Sequence, residues 1–208
     1  MDAAVLARKD LQLELRARDT LPAMLLFVLA ALVVFHFALP ADASALAERG
    51  LLWIAIVFTA LLGLARVFAA EREQGLLDGL VLAPCDRSAI WLAKTLAALA
   101  FLGLAEAVAL PAFALFFSAV DAATVAGVVL ADVGICAVGT LLAAMAAASR
   151  ARELVLPLLF LPLAIPVVAG GVGASVVGDP GRYLAFLALY DGVFAIISWA
   201  SFEYVVTE

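Results

Sequence analysis

Residues 21–39 read LPAMLLFVLAALVVFHFAL, an apolar run without a single Asp, Glu, Lys or Arg, closed by Pro40 and a polar turn. A helix needs about 20 mostly apolar residues to cross the hydrocarbon core of a bilayer, and this stretch supplies them. Five more runs of the same kind follow. Residues 51–70 carry Arg66 near the far end, and 92–117 cross Glu106 and Pro111. Residues 122–148 include Asp132, 154–172 hold Pro157, Pro162 and Pro166, and 183–204 include Asp191. The expected fold is an all-α polytopic membrane protein, one domain over residues 1–208 with six transmembrane helices between 21 and 204.

Composition points the same way. Of 208 residues, 67% are hydrophobic and 14% charged, with a mean hydropathy of +1.19. Soluble domains sit near half apolar and a quarter charged, so no separate soluble catalytic domain fits into this chain. The net charge of −6 comes without a pooled basic patch, which argues against nucleic acid as a partner. Cys85 and Cys136 are the only cysteines, and neither has CxxC spacing. A disulfide framework, a zinc site and covalent haem attachment are therefore not expected, and no metal ligand set is assigned.

Basic residues orient the spans. Arg8, Lys9, Arg16 and Arg18 precede the first, Arg66, Arg72, Arg87 and Lys94 flank the second loop, and Arg150 and Arg152 lie in the fourth. Only Arg49 and Arg182, two of twelve, lie in the remaining loops. The excess places both termini and the even-numbered loops in the cytoplasm. Ala41-Asp42-Ala43 resembles a signal-peptidase box, but the apolar run before it is too long for a typical signal peptide, so a retained first span is expected. Residues 1–20 place Ala4, Ala7, Leu11 and Leu15 at helical spacing among Arg8, Glu14, Arg16 and Arg18. That pattern reads as an amphipathic helix in the membrane interface, or more simply as a basic leader that sets topology.

The second loop, residues 71–87, is the main charged interruption. Glu71-Arg72-Glu73-Gln74-Gly75 opens it, Leu76, Leu77, Leu80 and Val81 give one apolar side, and Pro84 stops the helix. A short helix of this shape, parallel to the membrane, suits a groove on a water-soluble partner; an ordinary re-entry loop is the plainer reading. No Gly-x-x-x-x-Gly-Lys-[Ser/Thr] phosphate loop occurs, so any ATP used must be hydrolysed by another chain.

Within the spans, Glu106, Asp132 and Asp191 are the polar candidates. An acid at the centre of a membrane helix costs about 2.5–3.5 kcal/mol on insertion scales, so each is expected to face protein or water, as a carboxyl at a helix contact or in a polar cavity. His36, the only histidine, reads as a hydrogen-bonding residue rather than a metal ligand. Pro162 and Pro166 are expected to kink the fifth span, and the glycines from Gly170 to Gly173 to loosen its outer end into a re-entrant segment. Gly127, Gly134 and Gly139 suit close packing of the fourth.

The loop residues Glu71, Arg72, Glu73, Gly75, Leu77, Asp78, Leu80 and Pro84 resemble the coupling loop of ABC-2 type permeases, roughly Glu-Arg-Glu-x-Gly-x-Leu-Glu-x-Leu with a later proline. Asp78 stands where that pattern has glutamate, and Gly79 loosens the helix by about 0.5–1 kcal/mol relative to alanine. The chain is further similar to the haem exporter B (CcmB) family within that class. The resemblance lies in Arg8 to Arg16, in the loop, in Leu92-Ala93-Lys94 opening the third span, and in Leu158-Leu159-Phe160-Leu161-Pro162-Leu163-Ala164-Ile165-Pro166-Val167. It implies a non-catalytic, dimerising permease of the bacterial inner membrane that binds a separate ABC ATPase (CcmA-like) through the loop. It also implies haem-handling membrane neighbours (CcmC-like and CcmD-like) and a periplasmic haem chaperone (CcmE-like), with haem as a ligand handled rather than a resident cofactor. An ABC-2 permease for a lipid, polysaccharide or drug is the alternative. One histidine, no Gly-x-Ser-x-Gly and no paired aspartates at helical spacing argue against an intramembrane enzyme. No similarity between the halves supports a proton-coupled carrier.

Overall fold

The computed structural model describes residues 19–40, 42–69, 86–149 and 151–207. They form six helices and, among these residues, no strand. The helices are α1 (Thr20–Ala38), α2 (Ala45–Leu64), α3 (Arg87–Phe116), α4 (Ala122–Ala148), α5 (Arg152–Val176) and α6 (Gly181–Thr207). All six are long and apolar enough to cross a membrane, as the hydropathy pattern predicts. Successive helices run up and down. Thr20, the chain leaving α2, the start of α3, the α4–α5 turn and Thr207 share one end, called here the terminal face.

Local signals set several helix starts. Ser44, Asp86 and Asp121 each accept a backbone N–H one turn in, from Ala47, Ser88 and Thr124, which satisfies donors that a helix N-terminus leaves open. The Ser44 cap starts α2 at Ala45, earlier than the apolar run at residue 51, and so brings Glu48 and Arg49 onto the helix. At its other end α2 stops at Leu64, and the chain passes through turns at Arg66, Val67 and Ala69.

The helix α4 lies at the centre. Its span is 72% buried within the bundle, against 17% for α1 and 22% for α6, so α1 and α6 are peripheral. It packs on α2, α3, α5 and α6, with its most extensive contact to α6. Small residues permit this. A Cβ added at Gly134 would strike the Asp191 carboxyl, and one at Gly139 would strike Leu64; Gly127 has ordinary room beside Ala174 and Trp53.

The glycine-rich end of α5 departs from expectation. The helix continues unbroken through Gly170, Gly171 and Gly173 to Val176, with no re-entrant segment there. Each of those glycines lies where a side chain would collide, with Leu187, Trp53 and Tyr183 respectively. Glycine weakens an isolated helix by about 1 kcal/mol, but packing and the lack of competing water inside a bilayer outweigh that loss. Trp53, fully buried, donates from Nε1 to Ser175 Oγ at 3.2 Å, and Ser175 donates to the Gly171 carbonyl at 2.7 Å. Pro162 and Pro166 both lie inside this helix.

Replacing Gly171 with Leu is expected to destabilise the protein by about 1–3 kcal/mol or more, the cost of overpacking a filled core. Thermal unfolding in detergent, followed by size-exclusion fluorescence, measures this; Gly178→Leu, at a site open on all sides, is the control expected to change little.

Candidate functional site

The residues proposed to grip a partner, Glu71, Arg72, Glu73, Gly75, Leu77, Asp78, Leu80 and Pro84, lie outside the described residues, as do residues 1–18 of the interfacial segment 1–20. The roots of that loop are described. Lys94, a buried cation about two turns into α3, donates from Nζ to the Val67 carbonyl at 3.0 Å and stands 5.2 Å from the Phe68 ring centroid. It therefore ties the chain that enters the loop to the helix that leaves it. The arrangement is physically favourable: a cation meets a carbonyl just past a helix C-terminus, and its charge lies over an aromatic face. Trp91, one turn before, donates to the Ala137 carbonyl of α4 at 3.3 Å. Beside these roots an open groove of about 730 Å³ runs between α2, α4 and the start of α5, lined by Arg66, Phe68, Ala143, Glu153 and Pro157 among others. On the rim, Arg87 pairs with Glu203 at 3.2 Å. Both side chains are substantially exposed, so the pair contributes little.

The three intramembrane acids come together. Glu106 of α3, Asp132 of α4 and Asp191 of α6 are 4%, 4% and 7% exposed. The Glu106 and Asp132 side chains are buried within electrostatic reach of each other. Asp191 sits against the Gly134 backbone and within electrostatic reach of Asp132. Cys136, one turn after Asp132, lies within reach of Asp132 and Glu106. Each acid keeps one oxygen without a hydrogen-bond partner: Glu106 Oε1, Asp132 Oδ1 and Asp191 Oδ1. The acids are thus one constellation joining three helices, where sequence showed three isolated charges. Among the described residues no group of His, Cys, Asp and Glu has the arrangement to hold a metal ion.

The polar residues of the opposite end escaped the sequence reading. Arg49, only 6% exposed, donates from Nη2 to the Ala119 carbonyl at 2.6 Å and lies over the Phe113 ring at 5.2 Å. Ser118 donates to Glu48 at 2.7 Å. Together these contacts join the start of α2 to the α3–α4 loop. The hydroxyl of Thr124 hydrogen-bonds the Asp121 carboxylate and holds it below its ordinary range, with a lesser contribution from Arg49. Ser44 as a helix cap was the signal that would have placed Arg49 on a helix. Near the middle of α5, Tyr190 donates to the Leu163 carbonyl at 2.9 Å, within the turn preceding Pro166.

The chain matches the CcmB protein family over residues 1–201. It is 32% identical to "Heme exporter protein B" of Bradyrhizobium diazoefficiens over 83% of this chain and 80% of that protein. Against the proteins of the same name from Rhodobacter capsulatus and Paracoccus denitrificans, identity is 31% and 32%. The alignments cover 91% and 86% of this chain and 90% and 87% of those proteins.

Replacing Asp132 with Leu leaves buried Glu106 beside an apolar side chain and is expected to cost about 1–3 kcal/mol. Asp132→Asn, which can still donate to Glu106, is expected to retain most of that stability. Melting temperatures of the two purified variants check this; equal losses would contradict a polar coupling between the two side chains.

Proposed function

The chain belongs to the CcmB family, and from that membership we propose that it is the permease subunit of an ABC transporter serving cytochrome c biogenesis. It is a multi-pass protein of the bacterial inner membrane. In this reading the termini and the second loop face the cytoplasm, and residues 71–84 sit on a separate CcmA-like ATPase. ATP hydrolysis there drives haem export, or the release of a haem-loaded CcmE-like chaperone held by CcmC-like and CcmD-like neighbours. The chain works as a homodimer and performs no chemistry on ATP itself.

The observation that carries the proposal is the family match, which runs almost from end to end and spans the charged loop. The Lys94 tie adds a physical route. Because α3 is fastened to the chain at Val67 and Phe68, a push on the loop reaches both α2 and α3. Through Trp91 it reaches α4 as well. The α4 contacts then carry the displacement to the acid constellation and α6.

Purification of the tagged protein from its native membrane in mild detergent is expected to recover an ATPase together with cytochrome c maturation subunits. Glu73→Ala combined with Leu77→Asp is expected to lose the ATPase while keeping the membrane partners. An ATPase without those subunits would indicate an ABC-2 exporter of another substrate, and recovery of no ATPase would overturn the proposal.

A further inference from the structure

The helices α2 and α5 meet at one end of the bundle and part at the other. Away from the termini they close on Trp53, which occupies the place of a side chain at Gly171 and donates to Ser175. At the terminal face the groove of about 730 Å³ opens between them. Leu61 of α2 and Leu156 of α5 line its sides, and the short side chains of Ala143 and Ala147 on α4 leave the space. The helix α2 has 20 residues and, at about 1.5 Å per residue, spans about 30 Å, the thickness of the hydrocarbon core. Arg66, two residues past its end, therefore stands at headgroup depth, as does Glu153, the second residue of α5. Both side chains are exposed, and both line the groove. The groove thus has apolar walls at acyl-chain depth and one charge of each sign at its mouth.

We propose that this groove binds one phospholipid that carries both a phosphate and a primary ammonium, a phosphatidylethanolamine. Arg66 takes the phosphate, Glu153 takes the ammonium, and the apolar walls take an acyl chain. A guanidinium matches phosphate oxygens with a planar fork of donors, and a carboxylate accepts from ammonium N–H groups. The volume lies within the range of about 300–1,000 Å³ found for pockets that enclose small ligands. A phosphatidylglycerol would satisfy Arg66 but bring a second negative charge beside Glu153. A phosphatidylcholine would match both charges, yet its quaternary ammonium has no N–H to donate. A water-soluble peptide would carry backbone groups to a depth where no water satisfies them. Phe68, at the root of the charged loop, also lines the groove, so the lipid braces that root against the start of α5. The inference rests on the membrane-spanning fold and not on the handling of haem.

The test is titration of the delipidated full-length protein, in detergent, with phosphatidylethanolamine, phosphatidylglycerol and phosphatidylcholine of the same acyl chains, with bound lipid counted by native mass spectrometry. Wild type is expected to bind one phosphatidylethanolamine with a preference of about tenfold over each of the others, equivalent to about 1.4 kcal/mol. Arg66→Gln is expected to weaken binding of all three. Glu153→Gln is expected to weaken phosphatidylethanolamine alone and so to abolish its preference over phosphatidylglycerol, a change of selectivity that a merely structural role would not produce. Ala147→Trp, which fills the groove, is expected to abolish the selective binding. Where Arg66→Gln does not run as a single size-exclusion peak, Arg66→Lys, which keeps the charge and loses the fork, replaces it. Equal binding of the three lipids by wild type, a preference for phosphatidylglycerol, or wild-type selectivity retained in Glu153→Gln would overturn the site. Each of these outcomes leaves the haem-handling reading standing.

Discussion

Inside a bilayer no water is available to satisfy a buried polar group, so every such group must find its partner within the protein. In this bundle that requirement falls most heavily on α4, the most buried of the six helices. Its small residues let neighbours approach until side chains meet backbone. Gly134 admits Asp191 and Tyr190 of α6, and Gly139 admits Leu64 of α2. Without the space at Gly134, Asp191 could not lie beside α4, and the constellation with Asp132 and Glu106 would not form. Close packing and polar satisfaction are therefore one constraint here rather than two.

The two ends of the bundle answer the same constraint with buried cations. Lys94 closes one end by binding the carbonyl of Val67, and Arg49 closes the other by binding that of Ala119. Each lies against an aromatic ring, Phe68 or Phe113, which compensates part of its charge. Both ties link α2 to α3 or its following loop, one at each end. They make those two helices and the root of the charged loop a mechanically connected pair, with α4 behind them. A lever of this kind is what a permease moved by an external ATPase requires.

Much of the architecture was legible in the sequence because transmembrane segments announce themselves by length and hydropathy, and all six were found near their true places. Helix ends were less legible. The Ser44 cap moved the start of α2 ahead of its apolar run, and the packing around Trp53 and Tyr183 kept α5 helical through glycines that by themselves suggest a break. The acids at Glu106, Asp132 and Asp191 stood out as costly charges, but their convergence depends on which faces of α3, α4 and α6 meet, and no periodicity in so uniformly apolar a chain marks a face. Arg49 and Lys94 looked like loop and flank residues, since burial of a long cation depends on a carbonyl and a ring far away in sequence. Family resemblance, by contrast, lay in local motifs, and the match over residues 1–201 bears it out.

The central claim is that this chain serves the assembly of c-type cytochromes. It is tested most directly by deleting the gene in its host and measuring covalent haem in membrane c-type cytochromes by haem-staining after denaturing electrophoresis. The account predicts loss of the stained cytochromes while their apoproteins are still made, with recovery when the wild-type chain is supplied in trans. Undiminished haem staining in the deletion strain would contradict it.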